Sequence, residues 1–188
     1  MASGQENSLT ERELVRLVGR GDVGAQRELY QRYAAHLTSV ASRYLVDRDR
    51  VKDVLQDAFI RIFEKFGTFR YRGEGSLKAW MSRIAVNGAL QELRRRERLV
   101  AVEQLPDPVD DEDPDTDGVP LEVIQEMIKR MPDGYRTVFN LFVFEQMRHK
   151  EIAELLGIKE NTSASQFLRA KAFLAKEIKE YRKLNDNV

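Results

Sequence analysis

An all-α fold, built as two small helical domains joined by an acidic flexible linker, is what this 188-residue sequence predicts. Three observations point there. Apolar residues recur at spacings of three and four along most of the chain, the signature of helices with one buried face. No stretch alternates with the two-residue period of a half-buried strand. Residues 102–120, VEQLPDPVDDEDPDTDGVP, break both patterns and hold four of the five prolines. Proline blocks helix and crowded carboxylates repel one another, so this segment reads as a solvated connector. The expected domains are therefore residues 1–100 and 121–188, with a linker over 101–120.

The elements follow in order. Thr10, with Glu13 three residues on, forms a capping box for a short helix to Val18, and Gly19 and Gly21 end it. Residues 25–45 read as a longer helix carrying Leu29, Tyr33, Leu37, Val40 and Tyr44. Residues 51–66, VKDVLQDAFIRIFEKF, give the clearest stripe: Val51, Val54, Leu55, Ala58, Phe59, Ile62, Phe63 and Phe66. Ser76 is placed to cap a helix starting near Leu77, with Ala79, Trp80, Ile84, Ala85 and Leu90 for burial. That helix runs into the basic cluster Arg94, Arg95, Arg96 and Arg98. Beyond the linker, helices are expected over residues 121–129, 132–145, 149–156 and 160–181.

The net charge of zero conceals a strong asymmetry. Residues 26–100 hold sixteen basic and nine acidic groups, a net of +7, and residues 123–188 hold twelve and nine, a net of +3. Between them, residues 101–122 hold nine acidic groups and no basic one. Segment charge, not the total, decides electrostatic partners. No apolar run is long enough to span a bilayer, and residues 1–15 lack the basic start and apolar core of a secretion signal, so no membrane insertion is expected. The absence of cysteine excludes disulfides, thiolate zinc sites and thiol nucleophiles. A cytoplasmic protein without metal or cofactor is the expectation.

Three features carry candidate chemistry. The first is helix-turn-helix form over residues 148–178. Ile152, Leu155 and Leu156 give one helix a buried face, Ala153 is small where two helices would cross, and Gly157 suits a positive φ at the turn. Ile158 would anchor the turn in the core. The next helix would bury Phe167, Leu168, Phe173 and Leu174 and offer Asn161, Thr162, Ser165, Gln166 and Arg169 to a major groove, where such side chains pair with base edges. Arg148, Lys150, Lys159 and Lys171 would hold phosphates. A solvated helical hairpin is the plain alternative. The second feature is residues 69–87, FRYRGEGSLKAWMSRIAVN, where Phe69, Tyr71 and Trp80 interleave with Arg70, Arg72, Lys78 and Arg83. Rings stack on exposed bases and cations hold the backbone of single strands; the alternative for Trp80 is core. The third is the polar face of residues 51–66, with Asp53, Gln56, Asp57 and Glu64. No histidine or further ligand completes a metal or acid–base site there, so it reads as a solvated face or a docking surface.

Taken in register, DVLQDAFIRIFEKF, FRYRGEGSLKAWMSRIAVN and the helix-turn-helix resemble the extracytoplasmic-function sigma factors. The most specific elements are D-x-x-Q-D-x-F (Asp53, Gln56, Asp57, Phe59) and the string from Trp80 to Asn87. The resemblance covers roughly residues 25–100 and 121–183. It implies a region 2-like domain and a region 4-like domain, no enzymatic activity, and core RNA polymerase (its β′ and β subunits) and promoter DNA as partners. It implies that Asp53, Gln56 and Asp57 dock on the β′ coiled coil. It further implies that Phe69, Arg70, Arg72, Lys78, Arg83 and Asn87 engage the melted minus-ten element, with Arg94 and Arg95 along the backbone. Arg148, Lys159, Asn161, Thr162, Ser165, Gln166 and Arg169 would face the minus-thirty-five element. An anti-sigma partner is also implied. Ser163 stands where the family often has an apolar residue, Gln166 where arginine is common, and Lys159 where a capping Ser or Thr is usual, so base preference does not carry over. The acidic linker is expected to fold over the protein's own basic faces and weaken binding to DNA in the absence of polymerase. The rival classes are a stand-alone helix-turn-helix regulator, a carboxylate metal hydrolase and a helical adaptor.

Overall fold

Every regular element in the computed structural model, which describes residues 9–95 and 113–185, is helical. The chain divides into two units, Met1–Glu92 and Leu93–Val188.

In the first unit, α1 (Glu11–Val18) starts on the expected capping box: Glu13 N–H donates to Thr10 Oγ1 and Thr10 N–H to Glu13 Oε2. Helix α2 (Val23–Ser42) begins two residues before the expected start, because Asp22 accepts from Ala25 N–H at 2.8 Å. Helix α3 (Arg48–Lys65) likewise begins three residues early, with Asp47 as its cap. Both caps are acceptors at the positive end of a helix dipole, a signal present in the sequence but overlooked beside the apolar stripes. Leu14, Leu29, Leu37, Ile62, Leu77, Met81 and Leu90 are completely enclosed. Each contributes about 1.5–3 kcal/mol by leaving water. Of the α3 stripe, Leu55 and Phe63 are only half-buried.

Helix α4 (Ser76–Arg95) contains a correction. Ser76 does not cap it. Its hydroxyl turns back into the preceding loop, donating to Gly73 O at 2.6 Å and accepting from Arg72 N–H at 3.2 Å. The cap is Glu11 of α1, whose carboxylate accepts from Gly75 N–H at 3.0 Å and Leu77 N–H at 3.2 Å. Of the expected basic cluster, Arg96 and Arg98 lie outside the described residues.

The second unit is built from α5 (Leu121–Arg130), α6 (Asp133–Val143), α7 (His149–Leu156) and α8 (Glu160–Asn185). Helix α6 is the central one, with Gly134 through Leu141 all buried. The core joins Met127, Ile128, Met131, Tyr135, Phe139, Ala170, Leu174 and Ile178. Buried Arg136 fixes the α5–α6 turn by donating to Lys129 O at 2.9 Å and Met131 O at 2.8 Å, which satisfies carbonyls left open at a helix end.

Residues 113–120 are not free connector. Val119 joins the core of the second unit, and carboxylates of this stretch reach α8. Asp113 pairs with Lys171 at 2.8 Å and Asp115 with Arg182 at 2.8 Å, while Arg182 also donates to Asp117 O at 2.8 Å. One apolar side chain and unlike charges hold this proline-broken segment without regular secondary structure. No helix among the described residues is long and apolar enough to cross a membrane.

Candidate functional site

Three surfaces hold the candidate residues. The first lies on α3. Asp53, Gln56 and Asp57 are all exposed, with exposed Ile60 and Glu64 continuing the same face toward the helix C-terminus. This polar stripe borders an open groove of about 440 Å³ lined by Tyr30, Leu55, Gln56, Phe59, Ile60 and Phe63, with Lys52 as its one charged residue. Tyr30 and Ile60 are each 49% exposed, and the Tyr30 and Phe59 rings stand 4.6 Å apart. Sequence reasoning missed Tyr30 and Ile60. Their signal is an apolar side chain lying off the buried stripe of its own helix. Among the described residues no cluster of His, Asp and Glu could hold a metal ion.

The second surface runs from the 69–76 loop along α4. The loop passes through φ +116° at Gly73 and +85° at Gly75, backbone that side-chain-bearing residues rarely adopt. Arg70, Tyr71 and Arg72 are exposed. Phe69 is instead half-buried, packed on Trp80 at 5.1 Å and on Phe66 at 6.1 Å, and Trp80 meets Phe66 edge-on at 6.0 Å. Thus Phe69 and Trp80 mainly buttress the loop, and Tyr71 is its exposed ring. On α4, exposed Arg83, Asn87 and Arg94 share one face, as their spacing of four and seven dictates. Lys78 projects from nearly the opposite side, where its charge acts on His36, and Arg95 lies about a quarter turn from the stripe. The structure therefore brings Arg83, Asn87 and Arg94 together and leaves Lys78 apart. His36, paired with Ser82 at 2.9 Å, has its pKa lowered by burial and then by the charges of Lys78 and Arg43.

The third surface is the helix-turn-helix of α7 and α8. Gly157 adopts φ +70° at the turn, and Ala153 is buried. Lys159 and Asn161 are exposed at the start of α8, followed by Ser165 and by Leu168, which is 38% exposed. Two expectations are corrected here. Gln166 is 6% exposed, enclosed rather than offered to solvent, and Leu168, expected in the core, lies on the outer face. Arg169 is half-buried beside Tyr135, whose hydroxyl pKa is raised by burial, a rise the guanidinium only partly offsets. Thr162 is half-buried. The physical reason is shared: α8 packs against both α6 and α7, so its solvent face is narrower than a one-sided helix would have. Fully buried Ser163 pairs with His149 Nδ1 at 3.0 Å, and the His149 ring stacks on Phe142 at 4.7 Å. A polar pair thus occupies a position where the resembled family often has an apolar residue. Arg148 and Lys150 are exposed at the start of α7.

These surfaces coincide with known sequence families. Residues 29–99 match the family Sigma-70 region 2, and residues 121–174 match Sigma-70, region 4, together well over half of the chain. The ECF RNA polymerase sigma-E factor of Haemophilus influenzae is 28% identical, over 90% of this chain and 96% of its own length. The chain belongs to the sigma-70 factors, in the extracytoplasmic-function class. As a sigma factor it acts in transcription initiation, with core RNA polymerase and promoter DNA as its partners. The RNA polymerase sigma-H factor of Pseudomonas aeruginosa is 27% identical, over 89% of this chain and 93% of that one. A solved structure of CnrH in complex with the cytosolic domain of CnrY is 22% identical, covers 90% of this chain and 97% of that one, and gives a TM-score of 0.49. Helix α1, including Glu11, lies outside both family matches.

Proposed function

We propose that this sigma factor divides promoter recognition between its two units. The observation that carries the proposal is that each unit presents its own exposed polar helix face: Arg83 and Asn87 on α4, and Asn161 and Ser165 with Leu168 on α8. The α4 stripe and the loop holding Arg70, Tyr71 and Arg72 engage the melted minus-ten strand. Cations hold phosphates there while a ring stacks on an unpaired base. The energy of those contacts offsets unstacking, which costs a few kcal/mol per step. The α8 face enters the major groove at the minus-thirty-five element, flanked by Arg148 and Lys159 on phosphates. Asn161 and Ser165 read base edges, and Leu168 suits the methyl group of thymine.

The α3 face docks the factor on the β′ coiled coil. Asp53 and Asp57 supply charge, and the Tyr30–Ile60 groove supplies apolar area for an inserted side chain. Residues 1–100 then serve docking and melting, residues 121–188 upstream recognition, and residues 101–120 connect them. The factor performs no catalysis of its own and works in the cytoplasm, where an anti-sigma partner holds it in reserve. The ion pairs of Asp113 and Asp115 with Lys171 and Arg182 support a further role for the acidic segment. It competes with DNA phosphates for cations of α8 until polymerase draws it away. The test is run-off transcription with purified core polymerase on a promoter library. Initiation should select templates that share two separated motifs. Selection of a single motif would overturn the division of labour.

A further inference from the structure

The loop that carries Arg70, Tyr71 and Arg72 is closed by its own Ser76 and buttressed by Phe69 on Trp80. Its two positive-φ glycines add conformational freedom, and freedom opposes tight capture of an extruded base. A further restraint comes from the start of the chain. The Glu11 side chain is 8% exposed, although carboxylates are rarely buried without partners. Its Oε2 accepts from Gly75 N–H at 3.0 Å and from Tyr33 O–H at 3.3 Å, and its Oε1 accepts from Leu77 N–H at 3.2 Å. Gly75 is the last residue before α4, and Leu77 lies in its first turn. A negative charge there meets open N–H groups at the positive end of the helix dipole. Helix α1 is itself held firmly. The capping box fixes its start, and Arg32 of α2 donates to Leu9 O at 2.7 Å. Glu11 is therefore a rigidly mounted acceptor that fixes where the loop ends and α4 begins.

We propose that Glu11 is a positioning residue for minus-ten recognition: it sets the conformation of the 69–76 loop and the direction of α4 so that loop and stripe act on one strand. This rests on the reading that the loop and α4 engage melted DNA. Glu11 touches no DNA itself, and its effect is confined to the strand-capture step. Ser76 complements it, since its bonds to Gly73 O and Arg72 N–H close the loop from the opposite side.

The test uses holoenzyme assembled from full-length protein and core polymerase. Wild type, Glu11→Gln, Glu11→Ala and Tyr33→Phe are compared. The readouts are affinity for core polymerase, thermal stability, and binding of a randomised single-stranded DNA pool whose bound sequences are then read. Glu11→Gln replaces an anionic acceptor by a neutral amide with only one accepting oxygen. It should weaken single-strand binding about tenfold, the weight of a lost charged cap, and flatten the sequence preference of the bound pool. Core affinity should stay within about twofold of wild type. Tyr33→Phe removes a buried hydrogen bond from the same carboxylate but leaves the loop contacts, so it serves as a stability control that retains the preference. If the Glu11 variants lose stability but bind the same sequences as wild type with equal affinity, Glu11 is only structural and the proposal fails. If wild-type holoenzyme itself shows no single-strand preference, the underlying assignment of the loop fails instead.

Discussion

Helices α4 and α8 both carry candidate DNA-facing residues, yet they keep them differently. On α4, Arg83, Asn87 and Arg94 all stay at the surface, because they fall on one stripe while Glu11, His36 and Arg61 of the three preceding helices meet other sides of the helix. On α8, α6 and α7 claim two sides of the helix, so Gln166 is enclosed, Arg169 is drawn toward Tyr135, and Leu168 is left outside. An offset from a motif locates an exposed residue only where its stripe coincides with the face that the packing partners leave open.

The largest expected effect lies on the proposed docking surface of α3. Replacing Asp53, Gln56 and Asp57 together by Ala should lower run-off activity on the order of 100-fold through loss of polymerase binding, with little change in thermal stability because all three are exposed. Co-purification with core polymerase checks the cause. On α4, Arg83→Ala or Asn87→Ala should reduce open-complex formation about tenfold, read by permanganate reactivity of unpaired thymines. A premelted template should recover part of the Arg83→Ala loss, because melting no longer has to be offset. On α8 the contrast sharpens. Gln166→Ala should cost about 1 kcal/mol of stability, seen in thermal melting, and leave the selected upstream motif unchanged. Asn161→Ala should do the reverse.

Smaller effects test the acidic segment and the histidine of the first unit. Asp113→Asn with Asp115→Asn should tighten binding of the isolated protein to promoter duplex about threefold, an effect that fades with added salt. The Arg182 hydrogen bond lowers the Asp115 pKa, so the pairing persists at neutral pH and is lost only as pH falls through that depressed value. His36 behaves in the opposite chemical sense but with the same sign. Its pKa lies below the ordinary 6.5, so the unfolded chain binds the extra proton first, and stability should decline as pH falls below about 6.5. Replacing His36 with Gln should flatten that decline in pH-dependent melting.

Much of this was legible in the amino-acid order. The α3 stripe, the Thr10–Glu13 capping box and the left-handed turn at Gly157 are local signals, each contained within one element. The exposed polar face of α3 was legible too, because polar residues repeating opposite an apolar stripe have no core role. What escaped depended on distance along the chain. Glu11 meets its partners 64 and 66 residues away, so nothing near it announces a cap. Ser76 looked like the cap because it stood in the right place, but a better acceptor was already there. Ser163 looked like a polar intrusion until His149, fourteen residues earlier, supplied its partner. Phe69 and Tyr71 are alike in sequence, and only the packing of Trp80 against Phe66 separates the buttress from the exposed ring.

A crossed selection tests the division between the two units most directly. Holoenzymes carrying wild-type protein, Arg83→Ala with Asn87→Ala, or Asn161→Ala with Ser165→Ala are used to transcribe one randomised promoter library, and the enriched sequences are compared. The α4 pair should relax only the downstream motif near the start site, and the α8 pair only the upstream one. If either pair altered both motifs equally, or if the two pairs exchanged their effects, the two helices would not be reading separate elements.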